Sequence, residues 1–291
     1  MQELIGKARV LIEALPFISE FRGRTVVVKI GGAALEDDTL RRRFCEDVIL
    51  LDWVGINVVV VHGGGKQITT MLDRVGLPAR FVDGQRVTDA PTLEVVEMVL
   101  GGSLNQELVR LVNHLGGAAV GLTGCDGGLA RARRTQPELG LVGEVTDIDR
   151  TVIDRLIADF IPIIAPVATG DDGNALNVNA DVFAARLAQA IGAEKLVLLT
   201  DIAGVLDNER RLIPTIGAAA ARQLIGGGVI TGGMIPKVQN ALAALDAGVH
   251  KVHIIDGRLE HALLLEIFTR EGVGTQVIAD GEPTPVSTPA R

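Results

Sequence analysis

"VVVVHGGGKQITT" (58–70) places four consecutive valines before three glycines and a helix-like pattern. An apolar run without polar alternation is typical of a strand that is buried on both faces, as in a parallel sheet. Glycines let backbone N–H groups approach an anion, and the positive end of the following helix attracts it further. The segment therefore predicts a strand, an anion-binding turn and a helix in succession.

A second glycine turn follows the apolar run "TVVVKI" in the segment "VKIGGAA" (28–34), which contains Gly31 and Gly32. Neither turn has the spacing of a Walker A loop, because Lys66 is followed by Gln67 and not by Ser or Thr. No strand leads into a clean G-x-G-x-x-G motif either, so a dinucleotide-dependent oxidoreductase ranks low. Two anion-binding turns remain, and they indicate a substrate with phosphate or carboxylate groups.

Further apolar runs alternate with segments of helical periodicity along the chain. The runs span residues 25–30, 57–61, 118–122, 160–167, 195–200 and 251–255, and the helical segments span 40–53, 92–114, 180–191 and 233–247. Strands that alternate with helices favour an α/β fold with a mainly parallel sheet covered on both faces. Asp83-Gly84 predicts a tight hairpin within 80–88, and the polar stretch 126–147 predicts a second hairpin excursion.

Four regions are expected along the chain. Residues 1–22 form an amphipathic helix whose apolar stripe consists of Leu4, Ala8, Leu11, Leu15 and Ile18, with a bend near Pro16. This stripe packs either on its own subunit or on a neighbour. Residues 23–193 form an N-terminal lobe and 194–280 a C-terminal lobe, and the Pro-, Ser- and Thr-rich residues 281–291 form a disordered tail.

Composition excludes several classes of protein. The 291-residue chain has a formal net charge of −8 and a pI near 5.2, so it lacks the basic surface of a nucleic-acid-binding protein. It has no apolar run of the roughly 20 residues needed to span a bilayer, and its N-terminus does not have the pattern of a signal peptide. Cys45 and Cys125 have no metal-ligand spacing, which favours a reducing, cytoplasmic location.

Two lysines are candidates for chemistry. Lys29 lies one residue before the end of an apolar strand, where its charge would be desolvated unless an anion meets it. Lys237, in "TGGMIPKVQNAL" (231–242), lies just inside a helix start, where a cation opposes the helix dipole and an anion is expected nearby. Ordinary solvated lysines are the alternative at both positions.

Polar residues follow two of the strands. In "NALNVNADVFAARLA" (174–188), Asn177, Asn179 and Asp181 alternate and share one face if the segment is extended. The amides can bind a substrate, Asp181 can pair with lysines or organise a metal-bound phosphate, and helix capping is the alternative. "LLTDIAGVL" (198–206), with Thr200, Asp201 and Gly204, has the form of a nucleotide-binding turn. Arg86, after the predicted hairpin turn, has the geometry to bind a carboxylate.

Together these stretches resemble the amino acid kinase family, and in particular its members that act on N-acetylglutamate. The matching strings, in the family's order over about residues 25–278, are "VKIGG", "VVVHGGG", "DGQRVTD", "VGLTG", "NVNAD", "LLTDIAGVL" and "TGGMIPKV". The resemblance implies a three-layer αβα sandwich around a mainly parallel sheet of about eight strands. It also implies that ATP, with Mg²⁺ bound mainly through the nucleotide phosphates, phosphorylates the γ-carboxylate of N-acetyl-L-glutamate.

The resemblance assigns roles to individual residues. Lys29 and Lys237 match the two lysines that stabilise the transition state, and Asp181 matches the carboxylate that orients them. The residues expected to bind the acyl substrate are Gly64, Gly65, Arg86, Asn177 and Asn179. Those expected to bind the nucleotide are Gly31, Gly32, Thr200, Asp201, Gly204, Leu206, Ile230 and Thr231. No protein ligand to a metal is expected, and Lys66 has no assigned role in the chemistry.

The two ends of the chain resemble those of arginine-inhibited family members. The N-terminal helix resembles an extension that joins dimers into a hexamer, a trimer of dimers. The residues that match or are expected at the effector site are Phe17, Lys195, His253, Glu266 and Gly272. The resemblance therefore implies inhibition by L-arginine.

The chain departs from the family pattern at three places. Lys66-Gln67 stands where relatives often have Pro-Gln, the segment near 126–140 is shorter than in some close relatives, and Phe17 stands where many arginine-sensitive members have tyrosine. Two other functions remain open at this point. One is a kinase for a related acid such as a carrier-linked aminoadipate, and the other is a catalytically silent nucleotide or arginine sensor.

Overall fold

The valine-rich runs form the centre of an eight-stranded sheet in the computed structural model, which describes residues 2–269 and 272–281. The strands are β1 (Thr25–Ile30), β2 (Asn57–His62), β3 (Phe81–Val82), β4 (Gln85–Arg86), β5 (Ala119–Thr123), β6 (Ala130–Arg134), β7 (Val142–Ile148), β8 (Ile161–Ala165), β9 (Val167–Gly170), β10 (Ala175–Val178), β11 (Lys195–Thr200), β12 (Thr215–Gly217), β13 (Lys251–Asp256) and β14 (Thr275–Ile278). The order in the large sheet is β12-β14-β13-β11-β1-β2-β8-β5.

Helices connect most of these strands. They are α1 (Gln2–Phe21), α2 (Ala33–Glu36), α3 (Asp38–Trp53), α4 (Gly65–Arg74), α5 (Ala90–Glu97), α6 (Asn105–His114), α7 (Thr151–Leu156), α8 (Ala180–Ala190), α9 (Ala218–Gly226), α10 (Met234–Asp246) and α11 (Ala262–Phe268). The segment Met98–Leu104 between α5 and α6 is a π-helix, so the helix predicted over 92–114 is interrupted there. The predicted positions of the other long helices are confirmed to within a few residues.

The prediction of a mainly parallel sheet is confirmed. Strands β13, β11, β1, β2, β8 and β5 pair in parallel. Only β14, which is antiparallel to β13, and β12, which is parallel to β14, run the other way among the described strands of this sheet. The strands from both halves of the chain therefore share one sheet, with β1 paired directly to β11.

Successive side chains of the central strands belong to two separate cores. In β1, Val27 packs in a core that α8 and α10 complete, whereas Val26 and Val28 pack in a core that α3, α6 and α11 complete. This alternation follows from the two-residue period of a strand. Because helices cover both faces of the sheet, Val26, Val27 and Val28 are all buried, and the three-layer sandwich is confirmed.

The excursion after β5 belongs to a second, smaller sheet. β6 and β7 form the predicted antiparallel hairpin, and they close a four-stranded barrel with β9 and β10. The single strand predicted over 160–167 is wrong, because the chain leaves the large sheet at Pro166 and enters the barrel as β9. Proline lacks the N–H that a continuous inner strand needs, so it marks the change of sheet. The hairpin predicted around Asp83-Gly84 is formed by β3 and β4.

Helix α1 leaves apolar side chains in the solvent. Its C-terminal residue Phe21 is buried, whereas Val10, Leu11 and Ile12 are between 64% and 71% exposed. The helix passes through Pro16 to Phe21. Leu4 and Ala8, which belong to the predicted stripe, and residues 282–291 of the predicted tail lie outside the residues whose side chains are described. No described helix is long and apolar enough to cross a membrane.

We predict that Phe183 makes a large contribution to the stability of the core around α8. Its side chain is fully buried in this core. Phe183→Ala should lower the free energy of unfolding by about 3–5 kcal/mol, because it removes apolar burial and leaves a cavity. Denaturant unfolding of the variant against Phe160→Ala, whose ring is 43% exposed, provides the measurement and its control. Equal losses in the two variants would contradict this account of the core.

Candidate active site

Two glycine turns meet at the carboxyl edge of the large sheet. In the parallel register of β1 and β2, Ile30 lies opposite His62, so the turns after these strands begin at the same level. The Gly63 N–H donates to the Ile30 carbonyl at 2.8 Å and joins the turns directly. Because α4 begins at Gly65, the N–H groups of its first turn have no acceptor within the helix. This edge can therefore receive anions.

Lys29 and Asp181 form an ion pair at this edge. The Lys29 Nζ lies 2.8 Å from the Asp181 Oδ1, and the two side chains are only 14% and 17% exposed. Lys29 comes from β1, whereas Asp181 lies in the first turn of α8, where a carboxylate also interacts favourably with the helix dipole. The structure thus brings together two residues that the sequence singled out separately.

Lys237 joins the same group from α10. Burial lowers its pKa, and the positive charge of Lys29 lowers it further. Three carboxylates oppose this effect and favour the charged ammonium group: those of Asp201, Asp181 and Asp256. Two lysines therefore share one site with three carboxylates, whose negative charge opposes the lowering of the Lys237 pKa.

Asp201 links the end of β11 to the turn that follows β1. Its Oδ1 accepts a hydrogen bond from the Ala33 N–H at 3.0 Å. Gly32 has a φ of 57°, and a Cβ at this position would lie 2.0 Å from the same oxygen. Only glycine lets the carboxylate approach this closely, so Gly32 serves the contact between the turn and Asp201.

A cavity of about 210 Å³ opens beside the second glycine turn. Its lining includes Gly63, Gly64, Gly65, Ile68, Phe81, Arg86, Leu100, Pro166, Asn177 and Asn179. Arg86 is 8% exposed and stacks its guanidinium over the Phe81 ring at 4.8 Å. Its Nη2 donates to the Gly65 carbonyl at 2.7 Å and to the Thr69 Oγ1 at 2.8 Å. Among the described residues, the buried Arg86 Nη1 has no hydrogen-bond partner, so it is free to donate to a ligand in the cavity.

The two asparagines of the cavity are held in different ways. Asn177, in β10, donates from Nδ2 to the Thr88 Oγ1 at 3.1 Å, and Thr88 in turn donates to the Arg86 carbonyl. Asn179 is the N-cap of α8, because its Oδ1 accepts from the Asp181 and Val182 N–H groups. Asn179 therefore both caps α8 and lines the cavity, and its hydrogen bond to the Asp181 N–H helps to orient Asp181.

The loop after β11 forms the other side of the edge. Gly204 has a φ of 140°, and a Cβ there would lie 2.6 Å from the Thr275 Oγ1. That hydroxyl accepts from the Val205 N–H and donates to the Ile213 carbonyl, so β14 supports the loop. Thr200 and Ile230 are buried in this region, Leu206 pairs with Leu212, and Thr231 is exposed.

Lys66 pairs with a carboxylate at the protein surface. Its Nζ forms an ion pair with the Glu36 Oε2 at 2.6 Å, and its side chain is 68% exposed. The pair connects α4 to α2, the helices that follow the two glycine turns. An exposed pair of this kind contributes little to stability, so Lys66 is separate from the charges of the site.

The proposed effector residues form a second cluster, beneath the end of α1. The Lys195 Nζ lies 4.4 Å from the centre of the Phe21 ring, and Phe17 packs nearby on the same core. The His253 Nδ1 contacts the Glu266 Oε1 at 2.5 Å, and the Glu266 Oε2 accepts from the Val273 N–H. Burial would raise the pKa of Glu266, but the bond to His253 and other contacts hold it below its ordinary value.

Two residues of the site escaped the sequence analysis. Thr88 is fully buried and joins Asn177 to the β3–β4 hairpin. Asp256 ends β13 opposite Thr200, binds Arg258 through both oxygens and adds negative charge near Lys237. The signal for Asp256 was its place directly after the apolar run 251–255, just as Asp201 follows the run 195–200. Thr88 carried no signal, because its role depends on a strand far along the chain.

Comparison with known proteins identifies the family. The model of the amino acid kinase family matches residues 24–256, and the chain belongs to this family. It is 51% identical to the acetylglutamate kinase of Geotalea uraniireducens over 96% of this chain and 100% of that protein. It is 50% identical to the acetylglutamate kinase of Aquifex aeolicus over 95% of this chain and 99% of that one.

Solved structures share the fold. The N-acetylglutamate synthase of Neisseria gonorrhoeae, in complex with coenzyme A and N-acetylglutamate, matches with a TM-score of 0.83 and 28% identity. The same enzyme with coenzyme A and L-arginine matches with a TM-score of 0.79 and 26% identity. Both matches cover 93% of this chain, which spans 63% and 65% of the longer synthase chains. The carbamate kinase of Giardia lamblia bound to AMP-PNP, at 17% identity and a TM-score of 0.63, shares the fold alone.

Proposed function

We propose that this protein transfers the γ-phosphoryl group of ATP to the γ-carboxylate of N-acetyl-L-glutamate, a step of arginine biosynthesis. The products are an acyl phosphate and ADP. The observation that carries the proposal is the site itself, in which Lys29, Asp181 and Lys237 meet beside the cavity of Arg86. Near-full-length relatives with this activity support the choice of substrate.

The geometry suits phosphoryl transfer to a carboxylate. Two anions must be brought into line, and the protein must neutralise the charge that spreads over the transferring group. Lys29, from the N-terminal half of the chain, and Lys237, from the C-terminal half, supply two positive charges. The glycine turns supply backbone N–H groups. A carboxylate is already ionised near neutral pH, so the reaction needs no general base.

Arg86 is the proposed anchor of the acyl substrate. Its Nη2 is held by the Gly65 carbonyl and by Thr69, which leaves the buried Nη1 available for the substrate's α-carboxylate. A charge-assisted hydrogen bond to a carboxylate fits this planar group better than it would fit a lysine. Asn177 and Asn179 offer amide groups to the acetamido end of the substrate, and Gly64 and Gly65 face its reacting end.

The nucleotide is proposed to bind at the ends of β11 and α10. The residues proposed to contact the nucleotide in this region are Gly31, Gly32, Thr200, Asp201, Gly204, Leu206, Ile230 and Thr231. The carboxylates of the site are already engaged: Asp181 by Lys29, Asp201 by the Ala33 N–H and Asp256 by Arg258. Mg²⁺ would therefore be held mainly by the nucleotide phosphates, where it would neutralise charge on the transferring group.

One assay distinguishes this function from its alternatives. Hydroxylamine traps an acyl phosphate, so ATP-dependent trapping should be fastest with N-acetyl-L-glutamate and slow with glutamate or N-acetylaminoadipate. Equal or faster turnover of another acid would overturn the choice of substrate. A complete lack of turnover with every acid would instead favour the nucleotide- or arginine-sensing alternative.

We predict that the three lysines near the site differ sharply in importance. Lys29→Ala and Lys237→Ala should each lower kcat by about 10²–10³-fold, as does the loss of other groups that stabilise a charged transition state. Lys66→Ala is the matched control, because its ammonium group pairs with Glu36 at the surface, and it should change kcat by less than about threefold. Near-normal kcat in both of the first two variants would refute their roles.

We also propose that L-arginine binds between Lys195, Glu266 and the end of α1. Glu266 presents a buried negative charge for a cationic group, and Lys195 presents a positive charge for a carboxylate. The buried His253 Nε2 has no hydrogen-bond partner in the described part of the chain and can accept from the ligand. The gonococcal synthase, which shares this fold, has been solved with L-arginine. Gly272 supports the site, because any Cβ there would approach the carboxylate of Glu266.

The arginine site predicts a selective loss of inhibition. Wild-type activity should fall with L-arginine, and Glu266→Gln should raise the half-inhibiting concentration at least about tenfold, because a buried charged contact is lost. Glu260→Gln, at an exposed carboxylate near the start of α11, is the control and should leave the inhibition curve unchanged. Wild-type activity that is insensitive to millimolar arginine would rule out the effector proposal.

We further propose that α1 packs on a second copy of the chain, in a hexamer built as a trimer of dimers. The support is its row of exposed apolar side chains, from Ile5 to Leu15, which lie in water although the C-terminal end of the helix is packed at Phe17 and Phe21.

Light scattering after size-exclusion chromatography tests the assembly. The wild type should elute as a hexamer, and Leu11→Glu should reduce the mass to a dimer, because a charge would be buried in the contact. Glu13→Gln, on the same helix, is the control and should keep the wild-type mass. A wild-type mass no larger than a dimer would contradict the proposal.

A further inference from the structure

His62 lies directly before the second glycine turn and is completely buried. Its Nδ1 lies 2.8 Å from the Gly63 carbonyl oxygen, and its Nε2 lies 3.2 Å from the Asn105 Nδ2. Asn105 is also buried and is the first residue after the π-helix Met98–Leu104. This buried polar pair contacts the glycine turn that is proposed to bind the substrate, so it can influence the reaction.

The surroundings of Asn105 define the proton position on His62. The Asn105 Nδ2 lies 2.8 Å from the Ile163 carbonyl oxygen and 3.4 Å from that of Leu122, so this atom must be the amide nitrogen, a donor. The His62 Nε2 then accepts from it and carries no proton. The proton lies on Nδ1, which donates to the Gly63 carbonyl.

This hydrogen bond orients a backbone group in the active site. The Gly63 carbonyl and the Gly64 N–H belong to one planar trans peptide, so they point in opposite directions. The carbonyl points at the buried imidazole, so the Gly64 N–H points away from the imidazole, and Gly64 itself lines the cavity. A glycine-rich turn has little intrinsic preference for one orientation, so an external hold on the peptide has a large effect.

The π-helix closes the other side of the turn. A Cβ on Gly64 would lie 2.6 Å from the Leu100 Cδ2 and 2.8 Å from the Leu104 Cδ2. These leucines and Asn105 come from one continuous segment, so the same element packs on the turn and binds His62. Irregular helical turns of this type often occur at functional sites.

We propose that the buried His62–Asn105 pair positions the Gly63–Gly64 peptide so that the Gly64 N–H stabilises the charge of the transferring phosphoryl group. His62 is a positioning residue and does not touch the substrate. The proposal rests on the phosphoryl transfer proposed above. Donors aimed in advance at the developing charge avoid reorganisation during the reaction, and misdirecting one of them costs rate more than binding.

The protonation state of His62 agrees with this role. Burial lowers the pKa of His62 to about 4, although the bond to the Gly63 carbonyl acts in the opposite direction. The ring is therefore neutral near pH 7, and its single proton remains on the Nδ1 that faces the turn.

Two substitutions separate the two hydrogen bonds of the ring. His62→Asn keeps an amide donor at the position of Nδ1 and loses the acceptor for Asn105. His62→Gln puts an amide at the position of Nε2 and leaves the Gly63 carbonyl without its donor. We expect kcat of the Gln variant to be about tenfold or more below that of the Asn variant. The KM for ATP should differ much less between the two.

The same two substitutions at His114 provide the control. His114→Asn and His114→Gln, at the exposed end of α6, should not differ from each other in kcat. The unfolding midpoints of all four variants measure the loss of stability. If His62 had only a structural role, its two variants would lose stability but would not differ from each other in kcat. Equal kcat values in the two His62 variants, or the reverse order, would overturn the proposal. Turnover of N-acetylglutamate by the wild type tests the function separately.

A measurement on the intact wild type remains decisive if the variants do not fold. The ¹⁵N chemical shifts of the His62 ring at pH 7 should report a protonated Nδ1 and an unprotonated Nε2. The opposite tautomer, or a doubly protonated ring, would remove the donor–acceptor arrangement and overturn the proposal.

Discussion

Two like-charged lysines must share one site, and much of the structure serves this requirement. Burial and the positive charge of Lys29 both lower the pKa of Lys237, so negative charge is needed nearby. Asp181 pairs with Lys29 directly, and Asp201 and Asp256 add negative charge around Lys237. In the proposed reaction, two anionic substrates would bring the negative charge that the lysines neutralise.

The parallel sheet meets this requirement through its carboxyl edge. β1 supplies Lys29, Asp201 directly follows β11, and β13 ends in Asp256, so three neighbouring strands place charged side chains at the same edge of the sheet. The glycine turns add backbone donors at the same level, since β1 and β2 are in register up to Ile30 and His62.

The proposed effector cluster lies at the other end of the same strands. Lys195 begins β11 and His253 lies early in β13, whereas Thr200 and Asp256 end these strands on the nucleotide side. A six-residue strand spans about 17–20 Å. If arginine and α1 shift the start of these strands, the shift is transmitted to the nucleotide side by elements that are packed on both faces. Phe21 connects this cluster to α1, so effector binding and assembly would share one contact.

The sequence by itself determined the layered α/β architecture, the two glycine turns and the candidate lysines, because apolar periodicity and glycine spacing are local signals. Its patterns also singled out Arg86 as a carboxylate ligand. Only the tertiary structure decided that Lys29 meets Asp181 and that Lys66 pairs with Glu36 instead. It also decided that the chain changes sheets at Pro166 and that His62 binds Asn105. These features join residues far apart in the chain, and such contacts depend on strand order and register, which no local pattern encodes.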